Sequence, residues 1–139
     1  MDTNNANART RPYSVLVAED APAARDALRV LLEERGYRVT TAADGREALE
    51  QLESLDPAPD VMIIDLHMPA LDGFAVRDAQ KKRKELAHVP VIALTGHPAL
   101  RQHAVRTGFT AALQKPFDPG MLLSLLAHHC KALPSGRAA

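Results

Sequence analysis

The stretch Val61-Met62-Ile63-Ile64-Asp65 decides the fold that we predict for this chain. Its four apolar residues follow one another without a polar break, which is typical of a strand covered on both faces of a parallel sheet. The run stops at a carboxylate, so Asp65 is predicted to lie at the carboxyl end of the strand. Open α/β sheets place their ligand sites just outside these strand ends. We therefore expect Asp65 to belong to a functional site.

On either side of this stretch, short apolar segments alternate with segments of helical periodicity. The predicted strands are 13–18, 37–42, 61–65, 89–94 and 110–114. The predicted helices are 22–35, 45–55, 71–86, 98–107 and 121–131. Five strand-helix units in succession predict a parallel sheet with right-handed crossovers and helices on both faces. We predict one domain, residues 13–131, between a flexible N-terminal tail, 1–12, and a C-terminal tail, 132–139.

The composition limits the class of protein. The 139 residues are typical of a single domain, and 17 basic residues balance 17 acidic ones, which does not favour a nucleic-acid partner. No apolar run approaches the roughly 20 residues of a membrane span, and the polar N-terminus lacks the apolar core of a signal peptide. A single cysteine, Cys130, excludes an internal disulfide and is typical of a cytoplasmic protein.

Polar side chains stand at the carboxyl ends of four predicted strands. They are Glu19, Asp20, Asp65, Thr95 and Lys115. Because the carboxyl ends of parallel strands meet at one edge of a sheet, we expect these side chains to share one pocket. Three carboxylates about 4–6 Å apart repel one another by about 1 kcal/mol or more for each pair. A hard divalent cation such as Mg²⁺ relieves this repulsion, since it prefers oxygen ligands.

This set of residues fits phosphoryl transfer, in which a metal and a lysine neutralise charge while a carboxylate attacks. We predict Asp65 as the nucleophile because it lies on the middle strand. Glu19 and Asp20 are the predicted metal ligands. Lys115 offsets the remaining negative charge, and Thr95 offers a hydroxyl to a phosphoryl oxygen.

The same motifs resemble those of the receiver domains of bacterial two-component response regulators. The matching motifs are Glu19-Asp20, Asp65-Leu66-His67-Met68-Pro69 with Asp72-Gly73, Thr95-Gly96, and Lys115-Pro116-Phe117. Each motif is weak alone, but their order and their positions at strand ends make the set specific. The resemblance covers the chain from about residue 13 to residue 131.

The resemblance implies a flavodoxin-like (βα)5 fold with strand order 2-1-3-4-5. It implies that Asp65 becomes an aspartyl phosphate, with a histidine kinase or a histidine phosphotransfer protein as the donor. It also implies that Glu19, Asp20, Asp65 and the backbone carbonyl of His67 hold Mg²⁺, or Mn²⁺ in its place. The chain would then be no enzyme beyond promoting its own phosphorylation and dephosphorylation.

For the switch itself, the resemblance implies that Lys115 contacts the phosphoryl group and that Thr95 moves toward it, repositioning the fourth helix. A downstream protein would dock on the fourth helix, fifth strand and fifth helix. Ala112 stands where the family commonly has an aromatic residue that turns inward. His67 and His97 stand where the family tunes hydrolysis, so both are candidates for that role.

Three alternatives remain open at this point. A phosphatase with an aspartate nucleophile needs a second Asp two residues after the first, where this chain has His67. A flavin carrier needs a loop rich in Ser, Thr and Gly after the first strand, where this chain has two acids. A receiver that works without phosphorylation would not need the acids and Lys115. A stand-alone receiver and one excised from a hybrid kinase are both compatible with the sequence, as is any oligomeric state.

Overall fold

Five strands alternate with five helices in the computed structural model, which describes residues 12–131, with the backbone alone for Lys131. The elements are β1 (Ser14–Ala18), α1 (Pro22–Glu34), β2 (Arg38–Ala42), α2 (Gly45–Ser54), β3 (Val61–Asp65), α3 (Gly73–Lys81), β4 (Val91–Thr95), α4 (Pro98–Arg106), β5 (Ala111–Gln114) and α5 (Pro119–Lys131). Apart from Pro12, the predicted tails 1–12 and 132–139 lie outside the described residues.

The strands form one parallel sheet in the order β2-β1-β3-β4-β5, which confirms the predicted topology. Every residue of β3 and of β4 is buried, as expected for strands covered on both faces. The edge strand β2 is mostly part-exposed, in keeping with its less apolar sequence. Asp65 pairs with Leu94 and Thr95 pairs with Gln114, so neighbouring strands end at the same edge.

Alternate side chains of each strand point to opposite faces, and each face forms its own core. One core packs the sheet against α2, α3 and α4, and the other packs it against α1 and α5. The first includes Leu16, Leu52, Met62, Ile64, Val76 and Ala104, and the second includes Val17, Leu28, Leu32, Ile63, Leu122 and Leu126. At about 1.5–3 kcal/mol for each large aliphatic side chain, this burial stabilises the frame that carries the strand ends.

The predicted third helix, 71–86, was wrong at both ends, since α3 runs only from Gly73 to Lys81. Asp72 caps its start by accepting a hydrogen bond from the backbone N–H of Ala75 at 2.9 Å. Beyond its end, the fully buried side chain of Gln80 donates to the carbonyls of Leu86 (2.8 Å) and Val89 (3.1 Å). These bonds fix a non-helical turn that brings Leu86 into the core. In the sequence, the apolar residue Leu86 falls at a position that a longer helix would bury, so the helix was predicted to continue to residue 86.

The other predicted boundaries differ from the structure by one or two residues, which is the usual uncertainty at element ends. Among residues 12–131, no helix has the length and apolarity needed to cross a membrane.

Candidate functional site

The carboxyl ends of the strands bring together the side chains predicted for the site. Glu19 follows β1, Asp65 and Thr95 are the last residues of β3 and β4, and Lys115 follows β5. Glu19 is 1% exposed, Asp65 4% and Thr95 0%, although all three are polar. Buried carboxylates are costly unless they are paired or bind a cation, so their presence here indicates a built site.

Lys115 joins the two buried carboxylates. Its Nζ donates to Glu19 Oε1 at 2.9 Å and to Asp65 Oδ2 at 3.0 Å. Burial raises the pKa of Glu19 above its ordinary value, and the hydrogen bond from Lys115 acts against that rise. Burial acts to lower the pKa of Lys115, but the bonds to Glu19 and Asp65 outweigh it and raise that pKa. The ammonium therefore stays charged and neutralises part of the acid cluster.

Asp65 is oriented by a hydrogen bond at each carboxylate oxygen. Oδ1 accepts from the backbone N–H of His67 at 2.9 Å, and Oδ2 accepts from Lys115. An ionised carboxylate oxygen has more than one lone pair, so each oxygen can still bind a further group. Gly73 packs against the same turn, since a Cβ at this position would lie 3.0 Å from the carbonyl oxygen of Asp65. The turn after β3 is thus tightly held.

The site fits a hard divalent cation. One carboxylate oxygen from each of Glu19, Asp20 and Asp65 lies within 4.8 Å of the others. Asp20 is exposed, whereas Glu19 and Asp65 are buried, so the cluster faces solvent on one side. Carboxylate oxygens are the ligands that Mg²⁺ and Mn²⁺ prefer, and the trio carries no thiolate or imidazole that would favour a softer metal.

The side chain of Thr95 contacts two histidines. Its Oγ1 accepts from the backbone N–H of His97 at 3.1 Å and lies 3.4 Å from His67 Nε2. The two imidazole rings are exposed and meet edge to face, with centroids 4.9 Å apart. The structure thus brings the two tuning candidates into contact with each other and with the residue Thr95.

Ala112 lies on β5, is 9% exposed, and belongs to the same core as Ala104 of α4. The nearest aromatic residue in sequence, Phe109, instead packs edge to face against Phe74 of α3, with ring centroids 5.7 Å apart.

No role was predicted for Arg25, which contacts the site through main-chain carbonyls. Its Nη1 donates to the carbonyl of Glu19 at 2.9 Å and reaches that of Asp20 at 3.4 Å. The only signal in the sequence is a basic residue five positions after an acid pair.

Comparisons with known proteins all point to one family. Residues 15–127 match the family described as the response regulator receiver domain. A 14.6 kDa protein of Leptolyngbya boryana is 38% identical over 122 residues, which are 86% of this chain and 92% of that protein. The chain spans only 17% of another relative, the sensor histidine kinase CheAY of Helicobacter pylori, and 50% of response regulator Rre1 of Synechocystis.

Solved structures agree with this match. The chemotaxis response regulator CheY4 of Vibrio cholerae superposes with a TM-score of 0.77 at 34% identity, covering 85% of this chain and 98% of that one. The receiver domain of sensor histidine kinase PA1611 of Pseudomonas aeruginosa gives a TM-score of 0.79 at 28% identity, covering 87% and 99%. That structure holds a magnesium ion in its active-site cleft. By family match, strand order and acid cluster alike, this chain belongs to the response regulator receiver domain family of two-component systems.

Proposed function

We propose that the chain is a phosphorylation switch in which Asp65 accepts a phosphoryl group from a phosphohistidine of a histidine kinase or phosphotransfer protein. The observation that carries the proposal is the ammonium of Lys115, which binds both Glu19 and Asp65 in a buried acid cluster. A lysine placed there can follow the negative charge from the carboxylate to an incoming phosphoryl group. The family match supports the same donor class.

In the transfer, a carboxylate oxygen of Asp65 bonds to phosphorus as the bond from phosphorus to the donor nitrogen breaks. The electron pair of that bond returns to the donor imidazole. Lys115 and the hydroxyl of Thr95 then bind phosphoryl oxygens. Glu19, Asp20, Asp65 and the backbone carbonyl of His67 would hold Mg²⁺ or Mn²⁺, which when bound neutralises the charge of the transferred group.

The proposed readout is a change in protein binding at the surface formed by α4, β5 and α5. Two large apolar side chains are exposed on these helices, Val105 of α4 at 51% and Met121 of α5 at 56%. Exposed apolar groups of this size support a docking role for the surface. The downstream partner is proposed to be a protein, and the chain acts as a catalyst only on its own phosphoryl group.

The proposed receiver unit is residues 13–131, which contains the whole matched range 15–127. Within it, His67 and His97 are proposed to tune the lifetime of the phosphoryl group. Their contact with each other and with Thr95 supports this role, because it places both rings next to a group that binds phosphoryl oxygen. Because residue 112 is an alanine, we propose that the switch works without the aromatic side chain that the family commonly has at this position.

Acetyl phosphate with MgCl2 tests the proposal, with mass spectrometry of the intact protein as the measurement. Wild type and an Asp118→Asn control, changed at an exposed acid outside the cluster, should each gain one phosphate. Asp65→Asn, which keeps the shape but removes the nucleophile, should gain none. Phosphate on the Asp65→Asn variant would refute the assignment, and so would its absence from wild type.

A further inference from the structure

Arg25 of helix α1 binds the backbone of two acids of the cluster, Glu19 and Asp20. We call Glu19, Asp20 and Ala21 the acidic turn. Nη1 of Arg25 donates to the carbonyl of Glu19 at 2.9 Å and reaches that of Asp20 at 3.4 Å. The backbone N–H of Arg25 donates to the carbonyl of Ala21 at 2.8 Å, so its own position is set by the first turn of α1. One side chain thus binds the acidic turn from the helix that follows it.

Among the described residues, little else orders Asp20 within the acidic turn. Helices α2 and α3 begin with capping side chains, Asp44 and Asp72, but Ala21 at the start of α1 supplies none. The other bonds of the turn are those from Lys115 Nζ to Glu19 Oε1 (2.9 Å), from the N–H of Glu19 to the carbonyl of Ala42 (3.0 Å) and from the N–H of Ala21 to Glu19 Oε2 (3.2 Å). None of these bonds acts on Asp20.

The direction of the Asp20 carboxylate therefore depends on its backbone. This carboxylate is exposed, and within residues 12–131 no hydrogen bond or ion pair holds it. Arg25 binds main-chain oxygens, so it leaves the three carboxylates of the cluster available to a cation. Lys115 differs in this respect, because it occupies one oxygen of Glu19 and one of Asp65. A charged donor acting on the backbone orders the ligands without competing for them.

We propose that Arg25 is a positioning residue for the divalent cation, acting through the backbone of Glu19 and Asp20. The inference rests on the proposed function and adds a residue to it. Groups that orient metal ligands change metal affinity by about 10- to 100-fold when they are removed. We expect Arg25→Met to raise the Kd for Mg²⁺ by about tenfold, which is about 1.4 kcal/mol. Arg25→Lys should fall between this variant and wild type, since it keeps the charge but not the planar fork.

The experiment follows amide chemical shifts of the full chain during titration with MgCl2. Arg29→Met is the matched control, because Arg29 lies one turn further along α1 and forms ion pairs only with exposed Asp26 and Glu33 among the described residues. The control should bind Mg²⁺ as wild type does. Phosphorylation of Arg25→Met by acetyl phosphate should be slow at low Mg²⁺ and should recover at saturating Mg²⁺. Because Mg²⁺ would also refold a variant whose fold is only weakened, the comparison requires that the amide spectrum of Arg25→Met without Mg²⁺ be that of the folded protein.

A Kd for Arg25→Met within about twofold of wild type would overturn the inference. An equal loss of affinity in Arg29→Met would overturn it too, because the loss would then come from removing a positive charge from α1 and not from the contact of Arg25 with the acidic turn. Should Arg25→Met not fold, the Kd of Arg25→Lys decides the question by the same comparison. Failure of the proposed function looks different, since wild type itself would then take up no phosphate.

Discussion

Neutralising Asp20 should stabilise the protein when no divalent cation is present. Its carboxylate lies within 4.8 Å of those of Glu19 and Asp65. At this separation each like-charge pair costs about 0.9 kcal/mol at the dielectric constant of water and about 3.5 kcal/mol at an effective value of 20. Asp20 is exposed, so the lower figure applies, and Lys115 offsets part of it. We expect Asp20→Asn to raise the free energy of unfolding by about 1 kcal/mol.

In the presence of Mg²⁺, we expect wild type to be more stable than Asp20→Asn. At a concentration one hundred times the Kd, Mg²⁺ stabilises wild type by about 2.7 kcal/mol. Losing a direct ligand should weaken binding on the order of 100-fold, which leaves the variant a gain of about 0.4 kcal/mol. Wild type should then be the more stable protein by about 1 kcal/mol.

Urea unfolding in EDTA and in MgCl2 measures both effects. Circular dichroism is the suitable signal, since the chain has no tryptophan. Asp78→Asn is the control, because Asp78 is an exposed acid of α3 that forms no hydrogen bond or ion pair among the described residues. It should respond to Mg²⁺ as wild type does. If Asp20→Asn lowers stability in EDTA, the acids do not repel one another as argued. If it gains as much from Mg²⁺ as wild type, Asp20 is not a ligand.

Three further substitutions test local packing and the titration of a part-buried histidine by urea unfolding. Gly45→Ala should cost about 3 kcal/mol or more, because the new Cβ would lie 1.8 Å from the carbonyl oxygen of Leu71; a loss under about 1 kcal/mol would contradict this packing. Gly96→Ala should instead raise the free energy of unfolding by about 0.4–1 kcal/mol, since among the described residues, its chain neighbours aside, no atom would lie within 4 Å of the new Cβ, and its φ is not positive. Burial lowers the pKa of His129, so the unfolded chain binds more protons and stability should fall as pH drops through the ordinary histidine pKa. His129→Gln should lose less stability than wild type between pH values about one unit above and below that pKa, and an equal loss would count against the shift.

The strand ends could be predicted because their signal is local. An apolar run that stops at Asp65 identifies both a covered strand and its end, and the same holds for Thr95. The end of α3 could not be predicted, because it depends on bonds from Gln80 to carbonyls six and nine residues away. Arg25 was missed for a related reason. Its partners are main-chain carbonyls, which every residue offers, so no residue type marks the contact.

Helix α4 is bound at both of its ends. At the carboxyl end, cations of α3 bind carbonyls that follow the helix, with Arg77 Nη2 on Gly108 at 2.7 Å and Lys81 Nζ on Thr107 at 3.1 Å. Of the nine residues of α4, only Ala104 is buried, and Leu100 is partly buried against the same core, so the bonds at the two ends add to a small packed surface.

At the amino end, α4 has no capping side chain, and the backbone N–H of His97 is bound to Thr95 Oγ1 instead. Under the proposed function, a hydroxyl of Thr95 that turns to a phosphoryl oxygen gives up this bond and its contact with His67 Nε2. We expect this loss to release the amino end of α4, and the helix would then turn about the carboxyl end that Arg77 and Lys81 bind. This route does not need an aromatic side chain at Ala112, because Thr95 acts on the helix through the backbone of His97.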